Sequence, residues 1–303
     1  MRARMILFSL VAGAAAATVT GCVAPLFEPQ LVFRPRALDE AQARALAHTR
    51  RVEAVDVATA DGLVLRGWLK HPEHWTPGER HPLVIVYGGI GQEISEFAAL
   101  AHTGSEWGWL AINYRGFGLS EGSPSERTVL DDAKRVYDWA LARPDVDSAN
   151  IVVLGRSLGT YVAIAVAAAR KVRAAILATP FDSAAALGEE HYRVPLGWLV
   201  QGHYNPALMA PMVSAPALFL LAEKDQVTPV KNGLALAQRW GGLAKTVLLR
   251  GAGHSGLENR EEFWHSIGEF LAALDQSGLA VELLAGDGHP LDQDRAALAP
   301  ATR

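Results

Sequence analysis

The stretch Ile151–Gly159, IVVLGRSLG, suggests both the fold of this chain and its most reactive side chain. Its first four residues are apolar and mostly β-branched, which predicts a buried strand. The strand leads directly into GRSLG at 155–159, and an alanine-rich helix is predicted from Thr160 to Arg170. Glycines on both sides of Ser157 remove side chains for which a sharp strand-to-helix turn has no room. We therefore predict that Ser157 lies at the apex of this turn, with its hydroxyl exposed at the end of a sheet.

A serine hydroxyl needs a base to become a nucleophile, and that base needs an acid to orient it. Both residue types follow predicted strands later in the chain. The apolar run Ala217–Ala222 ends shortly before Asp225, and the run Thr246–Leu249 is followed by a glycine-rich loop that contains His254. We predict that His254 is the general base and that Asp225 hydrogen-bonds its other ring nitrogen.

Other residues could take these roles. Asp182 also follows a predicted strand, a position where some hydrolases place the acid, but it precedes a helical run that it could simply cap. Asp225 is the preferred acid, and Glu223 is predicted to be solvated. His191 and His203 precede the acid in the sequence and are predicted to be surface or pocket-lining residues.

Acyl transfer also needs two N–H groups that stabilise the oxyanion. The backbone N–H of Leu158, directly after the serine, is one candidate. The other should come from the glycine-rich loop that follows the predicted strand Leu83–Tyr87, where Gly89 is preferred and Ile90 is the alternative. This loop is not a dinucleotide-binding loop, because Ile94 stands where the third glycine of that motif belongs.

Composition narrows the class of protein. The chain has 303 residues, of which 50% are hydrophobic and 20% charged, enough for one large α/β domain. Its net charge of -4 provides no basic surface for nucleic acid, so no nucleic-acid partner is predicted. Oligomeric state does not follow from these features.

The N-terminal segment predicts a lipid anchor. Arg2 and Arg4 precede the apolar stretch Met5–Val19, which is shorter than the ~18 apolar residues of a membrane span. Cys22, the only cysteine, follows Val-Thr-Gly, a pattern that looks like the lipobox of bacterial lipoproteins. We predict a signal peptide over 1–21 and a mature protein held on the extracytoplasmic side of a membrane of the bacterial envelope. The alternatives are an uncleaved anchor and a cysteine that stands at this position by chance.

The remaining pattern predicts an α/β fold in which antiparallel strands come first and a mostly parallel sheet follows, with helices on both faces. A hydrolase domain is predicted over 22–275, a small cap insertion over about 181–215 and a loose tail over 276–303. The first predicted strands are Leu31–Arg34, Val52–Ala58 and Leu63–Lys70. Further predicted strands are Trp109–Tyr114 and Ala174–Ala178, and further predicted helices are Ser95–His102, Ser125–Leu141, Val230–Trp240 and Arg260–Leu274.

A metal site is not predicted. His71, His74 and His81 cluster in and beside a proline-containing loop, but no carboxylate or cysteine set stands at ligand spacing with them on a regular element. The proposed serine chemistry needs no metal or organic cofactor.

Seven segments in order resemble the α/β-hydrolase-domain serine hydrolases, in particular a membrane-anchored esterase and thioesterase-like group that includes the bud-emergence-type proteins and their bacterial relatives. The resemblance extends from about Leu31 to Leu274. It rests on LVFRPR at 31–36, VYGGIG at 86–91, NYRGFGLSEGSPSE at 113–126, GRSLG at 155–159, TPFDS at 179–183, EKDQVTP at 223–229 and GAGHSG at 251–256. It implies the same nucleophile, acid and base, Ser157, Asp225 and His254, in the order serine, acid, histidine.

One departure concerns the oxyanion loop, where relatives usually have His-Gly-Asn and this chain has Tyr87, Gly88 and Gly89. The family's reactions include esters, thioesters and peptides, so the resemblance implies an acyl substrate, a small molecule or a lipid, without defining it. An aminopeptidase would need an acidic side chain that binds the free amine of its substrate, and Glu189 and Glu190 are the candidates. A catalytically silent lipoprotein scaffold is the alternative outside the enzymes, and the complete set of catalytic residue types argues against it.

Overall fold

The computed structural model describes residues 32–95, 97, 106–192 and 203–275, which contain one eight-stranded sheet. The strands are β1 (Val52–Ala58), β2 (Val64–Lys70), β3 (His81–Tyr87), β4 (Gly108–Ile112), β5 (Val146–Arg156), β6 (Ala174–Ala178), β7 (Ala217–Ala222) and β8 (Ala244–Leu249). Their order across the sheet is β1-β2-β4-β3-β5-β6-β7-β8. The pairs β1–β2 and β2–β4 are antiparallel, and all other neighbours are parallel. The predicted mostly parallel sheet with an antiparallel start is confirmed.

Helices pack on both faces of the sheet, as predicted. They are α1 (Glu40–Ala47), α2 (Glu126–Leu141), α3 (Leu158–Ala169), α4 (Ala184–Tyr192), α5 (Val230–Gln238) and α6 (Glu261–Asp275). Along β3, Leu83 and Ile85 belong to the core shared with α2 and α3, whereas Val84 and Val86 belong to the core shared with α6. Alternate side chains of a strand point to opposite faces, so a strand covered on both sides must be apolar throughout.

The predicted strand Leu31–Arg34 is wrong for its described part, since residues 33–36 are irregular. Phe33 is nevertheless buried, and the backbone N–H of Arg34 donates to the carbonyl of Ile90 at 2.9 Å. Phe33 belongs to the main core, where its ring lies 6.4 Å from the ring of Tyr204. Its burial therefore comes from tertiary packing instead of strand pairing.

Four strands, β3, β4, β5 and β8, begin earlier than predicted. β3 starts at His81 and β5 starts at Val146, and these two residues are paired in the parallel ladder. Ser95 and Phe97 are helical, as predicted, and the remainder of the predicted helix Ser95–His102 lies outside the described residues.

The segment NYRGFGLSEG after β4 forms polar contacts with α2 and with the turn between β1 and β2. The Arg115 guanidinium, 7% exposed, binds the buried Asp132 through Nε at 2.5 Å and Asp61 through Nη1 at 2.7 Å. The Tyr114 hydroxyl donates to the carbonyl of Gly88 at 3.0 Å. Through Tyr114, this distinctive segment therefore helps to hold the loop after β3 in place.

Several sequence predictions fall outside the described residues: the signal segment 1–21, Cys22, the part of the cap between 193 and 202, and the tail 276–303. Within the described ranges, none of the helices combines the length and the apolar character that crossing a membrane requires.

Candidate active site

Ser157 lies at a strained turn between β5 and α3, where its backbone adopts φ 53° and ψ -119°. Such a positive φ is rare for a residue with a side chain and is typical of functional turns. The flanking glycines are required sterically. A Cβ on Gly155 would lie 2.2 Å from the carbonyl oxygen of Gly159, and a Cβ on Gly159 would lie 2.0 Å from that of Tyr87. The turn predicted from GRSLG is thus present with the predicted glycine packing.

The structure brings together the three residues proposed from the sequence. Nε2 of His254 lies 3.0 Å from Oγ of Ser157, and Nδ1 of His254 lies 2.8 Å from Oδ2 of Asp225. Each residue follows the carboxyl end of a different parallel strand, β5, β7 or β8, so the sheet places all three at one edge. With Nδ1–H donated to the carboxylate, Nε2 has a lone pair facing the serine hydroxyl.

Asp225 is held rigidly by its own turn. Its Oδ1 accepts the backbone N–H groups of Val227 and Thr228, both at 2.8 Å, and its Oδ2 accepts the Thr228 hydroxyl at 2.9 Å. Burial opposes ionisation of this carboxyl group. The hydrogen bonds from His254 and from these N–H groups outweigh burial and hold the pKa of Asp225 below its ordinary value. The carboxylate is therefore ionised at neutral pH and available to His254.

The rival residues have other partners. Oδ1 of Asp182 accepts the N–H of Ser183 at 2.9 Å and the side-chain amide of Asn232 at 3.0 Å. Glu223 is exposed and accepts the N–H of Gly251 at 2.6 Å. These contacts give Asp182 and Glu223 local structural roles.

The described part of the predicted cap is anchored by Glu126, the first residue of α2. Its carboxylate accepts the Tyr161 hydroxyl at 2.6 Å and the backbone N–H of Tyr204 at 2.7 Å, and it also contacts Nδ1 of His203. Phe181 and Tyr204 are buried in the core. Both aromatic residues therefore pack onto the sheet layer, and His203 is bound at the edge of the cap.

The two candidate oxyanion donors differ in their surroundings. The N–H of Leu158 is in the first turn of α3, where no preceding carbonyl of the helix can accept it. The N–H of Gly89 donates to Oε1 of Gln92 at 3.1 Å. A substrate oxyanion would have to displace the Gln92 side chain in order to use Gly89.

Arg156 connects this loop to the histidine loop, a role that the sequence did not reveal. Its guanidinium, 10% exposed, forms an ion pair with Glu258 at 2.7 Å and donates to the backbone carbonyl of His254 at 2.8 Å. It also donates to Oε1 of Gln92 at 3.3 Å. The G-x-S-x-G pattern allows any residue at position 156, and the partner Glu258 is about 100 residues away along the chain. No local sequence signal could therefore have identified this ion pair.

We expect Arg156→Met to lower kcat by about 10²-fold, because loss of the hydrogen bond to the His254 carbonyl lets the imidazole move by a distance on the order of 1 Å. Ester turnover and the thermal unfolding temperature would be measured together. Arg170→Met is a matched control, since Arg170 forms an exposed ion pair with Asp138. A kcat of Arg156→Met within twofold of wild type would contradict this positioning role.

Comparison with known proteins gives the family. Residues 81–198 match the model described as alpha/beta hydrolase fold, and residues 187–271 match a model described as TAP-like protein. An uncharacterized protein of Mycobacterium tuberculosis is 34% identical over 207 residues, covering 67% of this chain and 73% of its own length. The chain belongs to the alpha/beta hydrolase family. Human alpha/beta hydrolase domain-containing protein 17C is 24% identical over 199 residues, 65% of this chain and 59% of its own length.

Solved structures agree with this family at the level of the fold. An acetyl xylan esterase from Paenibacillus superposes with a TM-score of 0.58 at 21% identity, covering 82% of this chain and 99% of its own. A Pyrococcus furiosus esterase superposes with a TM-score of 0.61 at 19% identity, covering 81% and 98%. The alpha/beta hydrolase fold predicted from the sequence is confirmed, and hydrolase activity is the function that family membership supports.

Proposed function

We propose that this hydrolase cleaves an ester-type acyl bond, in a carboxylester or a thioester, through a covalent acyl-enzyme on Ser157. The hydrogen-bonded series Ser157–His254–Asp225, with distances of 3.0 and 2.8 Å, is the observation that supports the proposal most directly. It is the arrangement in which a base can remove the serine proton while a carboxylate stabilises the resulting imidazolium.

In the proposed mechanism, Nε2 of His254 accepts the proton of Ser157 as Oγ attacks the carbonyl carbon. The backbone N–H of Leu158, and that of Gly89 once Gln92 is displaced, stabilise the oxyanion. The imidazolium then protonates the leaving group. Water, deprotonated by His254, attacks the acyl-enzyme and releases the acid, so no metal or organic cofactor enters these steps.

The surroundings favour an apolar acyl group. Ile90 and Val227, on the loops after β3 and β7, are 40% and 49% exposed at the same sheet edge as Ser157. In an aminopeptidase, an acidic residue would have to bind the substrate amine. Glu190 is poorly suited to this, because it already forms an ion pair with Lys231 at 2.8 Å. The two superposed structures described above are named esterases, although likeness at about 20% identity extends to the fold alone.

A substrate panel tests the proposal. The full-length protein, purified in detergent, would be assayed with p-nitrophenyl esters of increasing acyl length, acyl thioesters and aminoacyl amides, beside His254→Ala as an inactive control. We expect turnover of esters or thioesters that His254→Ala abolishes. Preferential turnover of aminoacyl amides would favour the peptidase, and no turnover of any class together with no reaction with a fluorophosphonate would favour the silent scaffold.

We also propose that Cys22 is diacylated and anchors the mature protein to a membrane of the bacterial envelope, on the extracytoplasmic side. The support is the apolar stretch Met5–Val19 followed by Val-Thr-Gly-Cys. Two ester-linked chains provide stable attachment, whereas a single chain binds only marginally. The active site would then have access to lipid acyl substrates.

We expect Cys22→Ser to abolish incorporation of labelled fatty acid and to leave an unprocessed precursor. Turnover of a soluble short-chain ester should stay within twofold of wild type, because neither the described triad nor the oxyanion loop includes Cys22. Metabolic labelling and membrane fractionation measure the first effect and ester hydrolysis the second. A wild-type protein that takes up no labelled fatty acid would disprove the anchor without affecting the proposal about catalysis.

A further inference from the structure

A second cluster of polar side chains lies at the opposite edge of the sheet from Ser157. His71 follows the end of β2, His81 is the first residue of β3, and Asp145 directly precedes β5. Strands β3, β4 and β5 run in the same direction, and β2 runs in the opposite direction. The end of β2 therefore meets the beginnings of β3 and β5 at one edge of the sheet. One potential ligand atom from each residue lies within 4.8 Å of those of the other two. We call these three residues the edge cluster.

Both histidines of the edge cluster have one ring nitrogen bound by an acceptor. Nε2 of His71 lies 3.0 Å from Oε2 of Glu53, and Nδ1 of His81 lies 3.1 Å from the carbonyl oxygen of Pro82. An acceptor at these positions requires the ring proton there. The lone pairs are therefore on Nδ1 of His71 and Nε2 of His81.

These two lone pairs are buried and lack hydrogen-bond donors among the residues that the structure describes. His71 is 7% exposed and His81 is 4% exposed. The rings are 5.7 Å apart in an edge-on arrangement, and Trp75 stacks on His71 at 4.1 Å. Buried polar atoms without partners are costly, so a donor or a Lewis acid between the rings would stabilise this arrangement.

We propose that the edge cluster binds a divalent metal ion, Zn²⁺ or one with similar ligand preferences, through Nδ1 of His71, Nε2 of His81 and a carboxylate oxygen of Asp145. Two imidazoles and one carboxylate are a ligand set that zinc prefers, with a water in the fourth position. The contacts to Glu53 and Pro82 are of the kind that orients a metal-binding histidine: the second ring N–H donated to a carboxylate or a backbone carbonyl.

The surrounding charges are compatible with a cation. Arg143 binds Asp145 at 2.7 Å and Glu53 at 3.3 Å, so the edge cluster together with its neighbours Glu53 and Arg143 has two carboxylates, one guanidinium and a net negative charge. Each carboxylate oxygen has two lone pairs, which allows Asp145 to bind Arg143 and a metal together.

Such an ion would have a structural role. The eleven-residue strand β5 separates Asp145 from Ser157, which corresponds to a distance on the order of 35 Å at about 3.3 Å per residue. The ion would join the end of β2 to the beginnings of β3 and β5, and through Glu53 to β1. We therefore expect it to raise the unfolding temperature and to leave ester turnover unchanged.

The test uses the full-length protein in detergent, stripped of metal with a chelator and titrated with Co²⁺ and then Zn²⁺. We expect about one equivalent of Co²⁺ to bind with visible d–d absorption, and Zn²⁺ to displace it. Saturation with Zn²⁺ at about 100 times Kd should raise Tm by roughly 5 to 10 °C. His71→Gln combined with His81→Gln should abolish both effects.

His74→Gln is the matched control, since His74 lies on the same loop but is exposed. It should bind Co²⁺ like wild type. If the double variant fails to fold, Asp145→Asn, which retains an oxygen for Arg143, should weaken Zn²⁺ binding by at least about tenfold. Equal Co²⁺ binding by wild type and the double variant, or a wild type that binds neither ion, would overturn the proposal.

Discussion

Ser157→Ala should lower ester turnover by about 10⁶-fold, the loss seen when a comparable nucleophilic serine is removed. The substitution deletes the only atom that forms a bond to the substrate and leaves the oxyanion donors in place. The fold should be unaffected, because alanine tolerates φ 53° about as poorly as serine does and removes no group that the turn needs. A fluorophosphonate probe should label wild type and fail to label the variant.

The control for this prediction is Ser214→Ala, which changes an exposed serine on the segment before β7. It should retain wild-type turnover and labelling. Thermal unfolding of all three proteins shows whether a loss of activity reflects a loss of structure. Labelling that persists in a folded Ser157→Ala protein would place the nucleophile at another residue.

Asp225→Asn should lower kcat by about 10⁴-fold, because an amide in place of the carboxylate favours the wrong tautomer of the histidine. In the structure, Nδ1 of His254 lies 2.8 Å from Oδ2 of Asp225. The asparagine NH₂ would donate to Nδ1 of His254, and the ring proton would move to Nε2. Nε2 could then no longer accept the proton of Ser157. The remaining acceptor oxygen can still bind the N–H groups of Val227 and Thr228, so the turn should persist.

Asp182→Asn is the matched control for this prediction. The substitution keeps the Oδ1 that accepts from Ser183 and Asn232, and Asp182 follows the neighbouring strand β6. Its kcat should remain within about threefold of wild type. A large loss in Asp182→Asn, with Asp225→Asn near wild type, would show that the acid comes after β6.

The sequence predicted those elements best in which a uniform apolar run is bounded by turn residues. Predicted and observed bounds agree for β1, β6 and β7. β5 was predicted too short because Asp147, Ser148 and Asn150 break the apolar pattern near its start. Of its first five residues only Val146 pairs with β3, opposite His81, and the register shifts before Ile151. The predicted strand Leu31–Arg34 has strand composition, but its described residues 32–34 pair with no described strand, and Phe33 is buried in the main core.

The sequence by itself determined the alternation of strands and helices and the sharp turn at Ser157, since both depend on local periodicity and on glycines close to one another in the chain. It also limited the acid and base to a few residues after strand ends. Only the tertiary structure decided that Asp225 contacts His254, that Arg156 holds the histidine loop, and that Asp145 joins two histidines more than sixty residues earlier in the chain. Those contacts depend on the order and direction of strands across the sheet, and distance along the chain does not determine which strand ends meet.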